Sequence, residues 1–311
     1  MSPVKAGASS FGAEPSGLLD LAVAVADGEA PPPLEVGVAA REAAPLLSTI
    51  PPDRVRAALQ AVIMGKSLDL GLQWMHESGV LGVLLPELEV TVDFSQEAGR
   101  RHKDVWEHTK QVVRQTVPNP LTRWAALLHD VGKVKTREFL PDGRVTFHRH
   151  AEVGARMWDP IGRRLGFDKP DRNKIRFLIL HHLRANAYEA SWTDAAVRRF
   201  DHEMGENLDD LLDLSRADVT SRRPGRRQEA AYNIHALKER ILAIRTLDAR
   251  IPPLPPGLGN AIMEAFKLPP SKRIGDLRKL CEEAIERGEL EERRDADYYL
   301  EYLHKHVAPG S

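Results

Sequence analysis

Residues 124–133 read WAALLHDVGK: five apolar residues run directly into His129 and Asp130, then a glycine and a lysine. A helix this apolar is buried on most sides, so its end carries a carboxylate into the interior. A buried carboxylate is unfavourable unless it is paired, hydrogen-bonded or bound to a cation. Any fold of this chain must therefore either cap His129 and Asp130 locally or bring positive charge to them. No other segment restricts the architecture as much.

The rest of the chain reads as helix. STIPPDRVRAALQAVIMG opens on Pro51 and Pro52 and closes on Gly65, the proline-in, glycine-out grammar of a helix. Periodicity predicts further helices over 104–117, 150–165, 171–184, 193–204, 206–219 and 227–249. The one strand signal is TREFLPDGRVTFH, which alternates around Asp142-Gly143 as a β-hairpin does. Residues 1–35 are rich in Ala, Gly, Pro and Ser and are expected to be largely disordered, with a weak helix at LLDLAVAVA. IPPLPPG, starting at Ile251, breaks the chain before a small helical C-terminal segment of residues 251–311.

Composition narrows the function classes. The 311 residues are 42% hydrophobic and 29% charged with net charge -1, so no overall basic field advertises nucleic-acid binding. Cys281 is the single cysteine, which excludes an internal disulfide and a cysteine metal site and suits the cytoplasm. No apolar run reaches transmembrane length, and the N-terminus has no signal-peptide pattern, so no membrane role is expected.

Histidines and aspartates recur on apolar faces. His108 shares a face with Val105 and Val112; His150 lines up with Val153 and Met157; His181 and His182 close IRFLILHHL; Asp218 lies below Leu211 and Leu214. With His129 and Asp130, five helices carry metal-competent side chains on inward stripes. Imidazole plus carboxylate suits a divalent ion such as Mn, Fe, Co, Ni or Zn. Seven candidates suffice for two ions, with Asp130 placed to bridge them. The competing reading makes each a separately satisfied core residue, which requires seven separate buried partners. Of His181 and His182, one is open to assignment outside the ligand set. Asp104 fits the N-cap of its helix, and His102, His148, His202 and His235 are left as non-ligands.

The ordered set His108, His129-Asp130, His150, His181-His182, Asp218 resembles the HD superfamily of metal-dependent phosphohydrolases. That resemblance implies an all-α HD-domain bundle, with one small β-hairpin, holding one or two divalent ions, Mg included. HKDVWEHT, RWAALLHDVGK, GRVTFHRHAEVGARM and WTDAAVRRF…SRADVTSR are similar to the C-terminal part of bacterial CCA-adding tRNA nucleotidyltransferases. The likeness extends to flanks, implying a helical neck over 36–100, the HD domain over 101–250 and a helical tail after it. Fewer than 50 residues precede the neck. They hold no Gly-Gly or Gly-Ser turn with an Asp-x-Asp pair, so CCA addition by this chain alone is not expected.

The resemblance implies hydrolysis of a phosphoester of a nucleotide or RNA end by metal-activated water. First choices are 2′,3′-cyclic phosphates and nucleoside monophosphates. Asp130 and Lys133 are the candidate catalytic groups, and Lys133, Arg149 and Arg184 the candidate phosphate contacts. Arg222, Arg223, Arg226 and Arg227 follow the last ligand candidate and suit an RNA backbone. Few aromatics lie beside that run, which gives no sign of base stacking there. The alternative is an RNA- or tRNA-binding or nucleotide-sensing protein on the same scaffold.

Overall fold

The structure is a computed structural model and describes residues 11–94, 104–142, 144–220, 225–248 and 252–307. It divides into two compact units, residues 1–241 and 242–311. Among the described residues the fold is all-α apart from one two-stranded antiparallel sheet, as the periodicity predicts. Among the described residues no helix is long and apolar enough to cross a membrane.

The first unit begins with α1 (Ser16–Ala26), α2 (Leu34–Ala43), α3 (Pro52–Met64), α4 (Leu68–Glu77) and two short helices, α5 (Val80–Leu84) and α6 (Pro86–Glu89). Helix α1 falls on the LLDLAVAVA segment and is a packed helix rather than a weak one in a disordered stretch; residues 1–10 lie outside the described part. Its Leu18, Leu19, Leu21, Ala22, Val25 and Ala26 are buried, and it packs on α3 and α4. Small side chains allow that approach: a Cβ on Gly71 would lie 2.6 Å from Ala26 Cβ. Helix α3 packs in turn on the helix carrying WAALL, so the segment expected as a neck shares a unit with the bundle.

The bundle follows as α7 (Val105–Gln115), α8 (Pro120–Leu128), α9 (Lys133–Thr136), α10 (His150–Arg164), α11 (Lys169–His181), α12 (Asp194–Met204) and α13 (Leu208–Ala217). Side chains set several starts. Asp104 accepts from Trp106 and Glu107 N–H, Asn119 from Leu121 and Thr122, Asp168 from Asp171, and Thr193 from Ala196. Helix α8 is the axis, packing against α3, α7, α11 and α13, and every residue from Thr122 to Leu128 is buried. Each fully buried leucine there contributes about 1.5–3 kcal/mol. Its one charged member, Arg123, donates to the carbonyls of Ile63 (2.8 Å) and Thr116 (3.3 Å).

Between α9 and α10 lies the hairpin of β1 (Glu138–Phe139) and β2 (Val145–Thr146), with Phe139 opposite Val145. Helix α14 (Arg226–Asp248) runs across the division between units, which falls at 241/242 rather than at the expected 250/251. In the second unit α15 (Leu258–Ala265), α16 (Lys272–Glu286) and α17 (Ala296–His306) close on Leu258, Ile262, Cys281, Tyr299 and Leu303. Burial pushes the Cys281 thiol up to about 11, so it is an uncharged core residue at neutral pH.

Candidate metal centre

Helix ends build the site. The last carbonyls of a helix lack amide partners, and histidines placed just past that point supply them. His129 Nδ1 donates to Ala126 O (2.7 Å) at the end of α8, and His182 Nδ1 to Ile179 O (2.7 Å) at the end of α11. At the start of α10, His150 Nδ1 donates to Phe147 O at 2.9 Å. His108, on α7, has its Nδ1 2.9 Å from Thr220 Oγ1. In each ring Nδ1 is committed, which leaves Nε2 aimed at the centre. This second-sphere anchoring is what metal-ligating histidines require.

The Nε2 atoms converge with two carboxylates. His108 Nε2 lies 3.0 Å from Asp218 Oδ1, 3.3 Å from Asp130 Oδ2 and 3.2 Å from His129 Nε2. His129 Nε2 is 3.3 Å from Asp130 Oδ2 and 3.4 Å from Asp218 Oδ1. His150 Nε2 is 3.4 Å from Asp130 Oδ1 and 3.3 Å from His182 Nε2. Bonds of about 2.1 Å place adjacent donor atoms about 3.0 Å apart in an octahedron and about 3.4 Å apart in a tetrahedron. The donors fall into two groups, His108/His129/Asp218 and Asp130/His150/His182. Asp130 reaches both, one oxygen toward each. The donor set and spacing fit divalent ions.

Exposure gives the centre a floor and a mouth. His129 and Asp130 are 0% and 2% exposed, whereas the side chains of His108 and Asp218 are 12% and 15% exposed. Charge follows burial. Burial opposes ionisation of Asp130, yet His129 and Lys133 hold its carboxyl well below the usual range. Asp218 is likewise held low against burial by His108 and His129. Burial would lower His129, but Asp130 and Asp218 raise it to about 10; they raise His108 as well. Burial keeps His182 neutral, down to about 4, with the His129 charge adding to the effect.

A prediction follows for metal uptake. Without a metal, His129 holds a proton up to about pH 10, and that proton must leave before Nε2 ligates. Metal affinity should therefore rise with pH from 6 to 9, about tenfold per unit for each proton displaced. Calorimetric titration with Mn²⁺ at pH 7 in two buffers of different ionisation enthalpy should show proton release. Identical heats in both would contradict it.

The structure thus brings together His108, His129, Asp130, His150, His182 and Asp218. It sets His181 apart: the ring packs on Phe177 with centroids 4.3 Å apart. Lys133 Nζ is 2.6 Å from Asp130 Oδ2. Arg149 is exposed at the start of α10 with φ 61, and Arg184 pairs with Glu203. Asp104 is an N-cap. His102, Arg222 and Arg223 lie outside the described residues. Arg227 donates to Gln115 Oε1 at 2.6 Å. The sequence reading missed three supports: Thr220 behind His108, Ser215 donating to His182 O (2.8 Å), and Gln115 donating to Ala217 O (2.6 Å) beside Asp218. Their only signal in sequence is nearness to a ligand candidate.

Comparison with known proteins agrees with this picture. Residues 100–223 match the HD domain family, and all six converging residues fall inside that span. Residues 35–91 match the family described as the probable RNA and SrmB-binding site of polymerase A. The chain is 32% identical over 266 residues to the A-adding tRNA nucleotidyltransferase of Deinococcus radiodurans, covering 83% of this chain and 60% of the relative. It is 31% identical over 256 residues to the CC-adding tRNA nucleotidyltransferase of Thermus thermophilus, 80% of this chain and 56% of that one. A multifunctional CCA protein of Pseudomonas paraeruginosa is 29% identical over 144 residues, 45% of this chain and 34% of the relative. The chain therefore contains an HD domain and a polymerase-A-type RNA-binding segment, and is homologous to tRNA nucleotidyltransferases. It spans less than two thirds of the length of these relatives.

Proposed function

We propose that the centre is the active site of a metal-dependent phosphohydrolase acting in the cytoplasm on a phosphoester of a nucleotide or RNA end. The first substrates to consider are 2′,3′-cyclic phosphates and nucleoside monophosphates. The observation that carries this reading is the set of four Nε2 atoms and two carboxylates facing one another, each ring anchored through Nδ1. The ligands are His108, His129, Asp130, His150, His182 and Asp218. One or two ions of Mn, Fe, Co, Ni, Zn or Mg suit them. When bound, such an ion brings a coordinated water near neutral pKa and draws charge from the phosphoryl oxygens.

The chain's own residues do the rest. Asp130, ionised and anchored by Lys133, orients the attacking water. Lys133 places a cation at the edge of the centre, where charge develops on the phosphoryl oxygens. Arg149, exposed at the start of α10, is available to a phosphate. Arg184 reaches one only by leaving Glu203. Arg226 and Arg227 follow the Asp218 segment and would meet the backbone of an RNA.

The RNA-binding segment over 35–91 and the tRNA-modifying relatives favour a second reading, in which the chain binds RNA or senses a nucleotide without cleaving it. Metal analysis of the purified chain, then a cyclic-phosphodiesterase and phosphatase panel with Mn, Ni, Co and Mg, separates the two. Bound metal and chelator-sensitive hydrolysis of a cyclic phosphate are expected. RNA binding that weakens steeply with salt, with no ester cleaved under any metal, would replace the first reading by the second.

A further inference from the structure

We infer that the centre is built for a phosphoester carrying a nucleobase, which stacks on an aromatic wall formed by Phe147, Phe94 and Phe139 with Arg137 between the rings. This rests on the phosphohydrolase reading and adds the place where the base sits. The wall starts at the centre itself. The carbonyl of Phe147 anchors His150 at 2.9 Å, so that residue is fixed beside the site. Its ring lies 5.5 Å from Lys133 Nζ, the same ammonium that bonds Asp130. From there the wall runs outward. Phe94 lies 6.4 Å from Phe147, centroid to centroid. The Arg137 guanidinium sits 4.0 Å from the Phe94 centroid and 5.3 Å from that of Phe139.

These residues come from three places: the segment after α6, the end of α9 with β1, and the turn between β2 and α10. Run-by-run inspection of the sequence therefore finds no aromatic cluster. The ring farthest out is the most open, with Phe139 64% exposed. A phenylalanine at that exposure adds little to the core. Alternating rings and a guanidinium form the surface on which bases stack without sequence readout. A sugar phosphate lacking a base has nothing to place there.

Isothermal titration of the full chain with Mn²⁺ present, using cytidine 5′-monophosphate and ribose 5-phosphate as probes, tests the inference. The nucleotide should bind at least about fivefold tighter, the low end of one stacked base. Phe139→Ala and Arg137→Ala should each narrow that ratio toward one. Equal affinity of the two probes for the wild-type chain, or an unchanged ratio in both variants, overturns it. The parent reading is checked separately on the wild-type chain by Mn²⁺ occupancy and by hydrolysis of a 2′,3′-cyclic nucleotide. Equal probe affinities with those intact would remove the base-stacking wall alone, and their failure would remove the enzyme.

Discussion

Asp130→Asn is expected to abolish metal retention and phosphoester hydrolysis while leaving the helices in place. Asp130 is the residue common to both donor groups: Oδ2 lies 3.3 Å from the Nε2 atoms of His108 and His129, and Oδ1 lies 3.4 Å from that of His150. The amide keeps the shape and loses the charge. A divalent cation then faces Asp218 as its one anionic ligand, so its dissociation constant should rise at least about 100-fold, or about 2.7 kcal/mol. Hydrolysis should fall further, by roughly 1000-fold or more, because the group that orients water goes with the ligand. Alanine is the harsher variant. It takes the carboxylate away from Lys133 and the charged His129 in a buried site, and breaking a buried pair from one side costs about 3–5 kcal/mol. Comparing the two separates loss of charge from loss of fold. Full activity and undiminished Mn²⁺ uptake in Asp130→Asn would show that the carboxylate serves only to neutralise Lys133 and His129.

Much of this site is legible in sequence because its ligands sit at helix ends, where period and polarity change together. His129-Asp130 after WAALL and Asp218 after LDDLLDLSRA need no tertiary information beyond an apolar stripe. The pair His181-His182 marks the limit. Neighbouring helical positions point about 100° apart, and either suits the end of IRFLILHHL. The choice is made by position relative to α8 and α10, and His182 Nδ1 also finds the free Ile179 carbonyl, while His181 turns to Phe177. Arg184 illustrates another limit. The donor residue His182 lies two positions before it, but its partner is Glu203, brought from α12 by the fold. The packing of helix α1 was hidden by composition: alanine, glycine and proline around LLDLAVAVA read as disorder about a weak helix, yet Leu18, Leu21 and Val25 are buried where it packs on α3 and α4. The aromatic wall was hidden by dispersion over three segments.

The second large effect is expected at a residue with no functional group. Gly132 has φ -65 and ψ -21, an ordinary helical conformation that any residue adopts. Its requirement is therefore steric. A Cβ at this position would lie 2.1 Å from the carbonyl oxygen of His150 and 2.7 Å from Gly154 N. Both are backbone atoms of the first turns of α10, which cannot swing aside as a side chain would. Gly132→Ala must push the start of α9 away from α10, and His150 moves with its helix while Asp130, two residues before Gly132, moves with the other. The substitution should destabilise the chain by about 3 kcal/mol, the upper range for overpacking, and weaken Mn²⁺ binding even in the folded fraction. Gly154→Ala is the matched control. Its Cβ would meet Ile179 Cγ2 at 3.4 Å and His129 O at 3.5 Å, ordinary contacts in the same interface, and the gain in helix propensity of about 0.8–1 kcal/mol offsets them. Thermal melts with and without Mn²⁺ read both variants. Equal melting temperatures for the two would mean that α9 and α10 stand farther apart than this packing allows, and the 3.4 Å separation of Asp130 from His150 would lose its support.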